Sequence, residues 1–176
     1  MRTATFALFA GIAYLSAGLL GLVPEALTPP APDGPPLRVA ALHGYLFGLF
    51  PVNALHSLGH LAIGVWGLTA WQADHIGHRI RSPRVFARAV AILYSALALL
   101  GVIPAASTLF GTVPIYGHNV WLHAGTALIA AYFGWRAKTE IERRHLETTD
   151  RREHTEPVPH ERRYGHGDRR IPTSEV

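Results

Sequence analysis

The sequence predicts an all-α integral membrane protein, a four-helix bundle made of two parallel two-helix repeats with a short interfacial helix ahead of the second span. Three observations carry that reading. Between Ala89 and Trp135 stand 47 residues without a single Asp, Glu, Lys or Arg. Two more uncharged blocks, Thr3 to Pro24 and Val39 to Ala73, precede them. The chain also resembles itself at two fixed offsets, described below. A spanning helix needs about 20 apolar residues. The shorter blocks therefore supply one span each, and the long block supplies two, joined at the turn-like Gly111–Gly117 segment.

Taken in order, the spans are expected at about residues 4–23, 52–71, 88–109 and 117–136. The first resembles a signal peptide, with Arg2 ahead of a Leu/Ala/Gly-rich run, but the repeat argues that it is a true span. Shifted by 80 residues, Phe6–Pro24 falls on Phe86–Pro104, with eight of 19 positions identical, among them Tyr14/Tyr94, Gly21/Gly101 and Pro24/Pro104. Between the first two spans lies a Pro-rich connector. In it, His43 with Gly44-Tyr45-Leu46-Phe47 is expected to form the interfacial helix. A second offset, of 63 residues, places Leu46-Phe47-Gly48-Leu49-Phe50-Pro51 on Leu109-Phe110-Gly111-Thr112-Val113-Pro114 and His60 on His123. Each unit then reads helix, Pro, connector, L-F-G-x-x-P, and a helix with a His nine residues after that Pro. Two-span units repeated in this way are parallel repeats, related by an axis along the membrane normal.

Charge sets the orientation. The loop from Asp74 to Arg88 holds four arginines, whereas the 104–117 loop holds no charge. The positive-inside rule places the N-terminus, the middle loop and the tail in the cytoplasm. Trp66, Trp71 and Trp135 fall near the cytoplasmic ends, where interfacial aromatics belong. From Ala137 onward nine Lys/Arg balance nine Asp/Glu, so the tail 137–176 is expected to be a charged and mostly disordered cytoplasmic segment. That tail also lowers the mean hydropathy to +0.17. The net charge of +4 belongs to the spans and their loops. It is a signature of topology, with no basic stripe for nucleic acid. The expected partner is the lipid bilayer, and a homo-oligomer is left open.

No cysteine is present, which excludes disulfides, thiolate catalysis and iron–sulfur ligation. Small and polar residues within the spans form stripes at helical spacing. They are Gly11, Tyr14, Gly18 and Gly21; Asn53, His56, His60, Gly64 and Gly67; Ala91, Tyr94, Ala98 and Gly101; and Asn119, His123, Thr126, Ala130 and Gly134. Tyr14 and Tyr94 each lie ten residues before their Pro, and His60 and His123 each lie nine after theirs. At about 1.5 Å rise per residue, all four sit near the bilayer midplane, with His56, His118 and Asn119 nearer the outer mouth. The candidate site is therefore Tyr14, His56, His60, Tyr94, Asn119 and His123.

Three chemistries fit these residues. A hydrogen-bonded plug would satisfy each hydroxyl and imidazole. A divalent metal can be held by His56 and His60, at i and i+4, with His123 facing them. Haem can take His60 and His123 as axial ligands. Catalytic constellations are missing. His56-Ser57-Leu58-Gly59-His60 lacks the Glu of a zinc-peptidase motif, Ser57 has no acid to orient a histidine, and no carboxylate lies within a span. Binding or transport of a small ligand at this site thus stands ahead of an enzyme.

The segments Leu46 to His60, with N-x-x-H-x-x-x-H, and Pro114 to His123, with G-H-x-x-W-L-H, carry a resemblance to a family. Over about residues 4–136 the chain resembles the bacterial four-helix membrane proteins of domain-of-unknown-function family 4383. The resemblance implies a multi-pass protein of the bacterial inner membrane, with no activity assigned. It also implies that an acid often stands where Asn119 does, so this chain has one charge fewer at the outer mouth.

Overall fold

A computed structural model of the chain describes residues 3–30, 32, 34–76, 82–136 and 148. The expectations for the tail, and for Arg79 and Arg81, lie outside the described residues. The described part is mostly helical, with four long helices: α1 (Thr3–Leu20), α2 (Ala54–Ile76), α3 (Pro83–Val102) and α4 (His118–Ala131). Two of these, α1 and α3, are long and apolar enough to cross a membrane.

The helix ends follow from local chemistry. Asn53 caps α2, its side-chain oxygen accepting from the His56 N–H at 2.9 Å and so satisfying an orphan donor of the first turn. Ser82 does the same for α3, accepting from Val85 N–H at 3.2 Å, with Pro83 in the first turn. A Ser-Pro start is a strong helix signal, so α3 begins at residue 83 rather than 88. It also ends earlier than the expected 109. Ile103, the residue before Pro104, is extended at φ −86° and ψ 112°, as the clash with a following proline ring demands. Residues 103–112 form turns instead of helix. At the other end of α4, Tyr132–Arg136 widens into a π-helical turn. There the Arg88 Nε donates to the Gly134 carbonyl at 2.8 Å.

The expected interfacial helix is not formed, and the fold is not purely α. Leu27–Thr28 (β1), Gly44–Leu46 (β2) and Phe50–Val52 (β3) make a small antiparallel sheet in the order β1-β2-β3. Leu46 pairs with Phe50 and Tyr45 with Pro51. The cause is the turn between β2 and β3. Phe47 and Gly48 both adopt positive φ, +56° and +70°, and Leu49 N–H donates to the Leu46 carbonyl at 3.2 Å. Such a turn reverses the chain into a hairpin and leaves no helix. The second L-F-G segment makes the same turn: Phe110 and Gly111 stand at +60° and +89°, and Thr112 N–H donates to the Leu109 carbonyl at 3.3 Å.

α1 packs chiefly on α2, and α3 on α4. The first pairing is very close. A Cβ on Gly11 would stand 2.8 Å from Leu68 N, and one on Gly67 would stand 2.8 Å from the Gly11 Cα. Backbones meet there directly, as small residues allow. The two hairpins join at one end through Phe6, Phe86 and Phe133, with Phe6 stacked on Phe133 at 4.9 Å. Trp66 sits edge-on to Phe86 at 5.5 Å. Together with Trp71 it is partly buried against this core.

Candidate functional site

One polar aromatic group from each of the four helices, and a second from α2, meet at the centre of the bundle. Tyr14 of α1 lies 5.3 Å from Tyr94 of α3, ring centre to ring centre. Tyr94 lies 5.0 Å from His123 of α4. His123 lies 6.1 Å from His56 of α2, His56 4.5 Å from His60, and His60 5.4 Å from Tyr14. The five rings close a cycle. His123 and Tyr94 are each 1 % exposed.

The cycle has two chemically different arcs. On the tyrosine side, the Tyr14 hydroxyl is in hydrogen-bonding range of Tyr94 and Thr126. On the histidine side, the Nδ1 atoms of His56, His60 and His123 are all buried without a hydrogen-bond partner. One nitrogen from each of these three rings lies within 4.8 Å of the others. Zn–N bonds of about 2.0–2.1 Å put tetrahedral nitrogens roughly 3.4 Å apart, so modest ring rotations would close the three onto one ion. The carbonyls of Pro51 and Pro114 stand beside the His56 ring. Metal-bound imidazoles commonly give their second N–H to such an acceptor.

Asn119 does not join the cycle. Its side-chain NH₂ donates to the Pro51 carbonyl at 2.7 Å and to the Pro114 carbonyl at 3.1 Å. It thus holds together the prolines of both L-F-G-x-x-P segments. Asn53 makes the converse link, donating to Thr112 O at 2.7 Å and Val39 O at 2.8 Å. These asparagines position the first turns of α2 and α4, and so the histidines that follow. His118 points away, exposed, edge-on to Phe50 at 6.4 Å. Outside the bundle, burial holds the His43 imidazole below its ordinary value.

Sequence reasoning missed Ser57. It is fully buried, its Oγ has no partner, and it faces the Gly21 Cα across the α1–α2 contact. Its position one residue after His56 points it to α1 rather than to the ring cycle. Spacing alone had singled it out only as a failed nucleophile.

A helical bundle with a closed histidine–tyrosine cycle at its centre is the class of protein that fold and site define. The chain matches the family described as Domain of unknown function (DUF4383) over residues 4–136, and it belongs to that family. No curated protein and no solved structure matches it.

Proposed function

We propose that this is a multi-pass membrane protein with four spans, built from two parallel repeats, whose His56, His60 and His123 bind one divalent first-row transition-metal ion. The observation that carries the metal reading is the convergence of the three imidazoles, with one nitrogen of each within 4.8 Å of the others. Buried nitrogens without a partner are costly, on the order of 1–3 kcal/mol each, and one ion would engage a nitrogen from each ring. Neutral imidazoles suit Zn, Cu, Fe and Ni. The third imidazole, 4.5 Å from His60, crowds the space a porphyrin plane would need, which favours a bare ion over haem.

The membrane reading is supported by the distribution of side chains. The polar groups lie inside, while Leu128 on α4 and Leu99 and Ile92 on α3 are 74 %, 70 % and 65 % exposed. Apolar patches on this scale are a liability in water and an advantage in hydrocarbon. The cytoplasmic placement of both termini rests on the arginine asymmetry of the loops.

Elemental analysis of protein purified from a bacterial host tests the metal reading. One equivalent of metal per chain is expected, falling to a small fraction in His60→Leu and His123→Leu. Co²⁺ added to the stripped protein should give the visible bands of a tetrahedral site. A native protein that neither carries metal nor takes up Co²⁺ would leave the cycle as a purely structural plug.

A further inference from the structure

Between α1 and α4 the bundle is not sealed. A cleft of about 440 Å³ opens there and reaches inward to the ring cycle. Ala10, Ala13 and Ala17 recess its α1 wall, and Leu122 and Ile129 line it from α4. Among the described residues its polar lining groups are Tyr14, His60, Tyr94, His123 and Thr126, four of them members of the ring cycle. The His123 Nδ1 has no hydrogen-bond partner, on a side chain 1 % exposed. The outer lip is apolar, with Phe9 59 % and Ile129 55 % exposed.

We infer that this cleft binds a membrane-dissolved lipid with a single uncharged, oxygen-bearing head, seated against Tyr14, Thr126 and His123. The inference rests on the membrane reading above and names the kind of ligand that the same centre would take. Among the described residues no charged side chain lines the cleft. A carboxylate or phosphate head would therefore be buried without a counter-charge, at high cost. A carbonyl or hydroxyl head, by contrast, finds hydroxyl donors and an imidazole. The stacked Phe6 and Phe133 flank the cleft. The volume lies within the range of small-molecule sites, about 300–1,000 Å³. Entry is lateral: exposed Ala13 lines the cleft on the flank of α1, which on the membrane reading faces acyl chains rather than water.

The test is equilibrium binding of a radiolabelled decyl-benzoquinone to the full chain in lipid nanodiscs, with empty nanodiscs subtracted and decanoate as the charged competitor of equal tail length. Saturable binding near one per chain is expected, with decanoate competing at least about tenfold less well. Ala13→Phe, which fills the cleft from its exposed side, should weaken binding by about tenfold or more at unchanged metal content. Thr126→Val keeps the shape and removes one hydroxyl, and should weaken binding roughly threefold to tenfold. Absence of saturable binding, equal binding in both variants, or equal competition by decanoate overturns the inference. Saturable quinone binding to a chain without metal refutes only the metal reading, and metal without quinone binding refutes only this one.

Discussion

Asn53 and Asn119 act as a pair from opposite halves of the chain. Each spans from the start of one helix to the proline-containing segment of the other half. Asn119→Ala removes the side-chain donor that bridges the Pro51 and Pro114 carbonyls. A loss of about 1–3 kcal/mol is expected, read as a lower midpoint in detergent denaturation, and a variant as stable as the native chain would remove the asparagine from the latch. The two turn glycines separate backbone strain from steric clash. Gly48 and Gly111 both need positive φ, but a Cβ at Gly48 meets nothing within 4 Å whereas one at Gly111 would stand 3.0 Å from Arg38 Cγ. Gly48→Ala should cost about 1 kcal/mol, and Gly111→Ala measurably more in the same assay. At this scale the sequence was informative about residue type and poor about role. Asn119 was marked as a site residue by helical spacing, yet its partners are carbonyls supplied by another segment, which spacing cannot show.

At the scale of elements, the α1–α2 pairing depends on backbone approach. The Gly11, Gly64 and Gly67 positions leave no room for a side chain, with Cβ positions as near as 2.6 Å to backbone nitrogen. Gly67→Val must push α1 and α2 apart, and since Tyr14 and His60 sit on those two helices, the cycle opens with them. The expected result is a destabilisation of about 1–3 kcal/mol, the usual range for overpacking, and, on the proposed metal reading, loss of the metal as well. Val65→Leu on the exposed face of α2 serves as the control that should change neither. Elements were legible where punctuation was strong. Pro24 and Pro104 mark the ends of α1 and α3, and Ser82-Pro83 marks a start that hydropathy alone placed five residues late. The β2–β3 hairpin was not legible, because Phe-Gly is a weak turn signal beside Asn-Gly. The apolar residues around it read equally well as a helix until the turn was seen to fold them back.

For the whole molecule, the proposed topology predicts that a reporter fused after Pro35 is outside the cell and one fused after Ser82 is inside. The reverse pattern would move the L-F-G turns and the mouth of the bundle to the cytoplasmic face. Chain order and hydropathy by themselves determined the helical class, the two copies of L-F-G-x-x-P and the candidate tyrosines and histidines, because spacing along a helix maps directly onto its faces. Only the tertiary structure decided the rest. It placed His56 in the cycle and Asn119 outside it, left three imidazole nitrogens without partners, and kept α1 apart from α4 so that a cleft reaches the centre. The physical reason is that each of these is a relation between helices. It is set by how closely the glycine-lined backbones of α1 and α2 can approach and how the proline segments of the two halves interlock, distances that no single segment of sequence encodes.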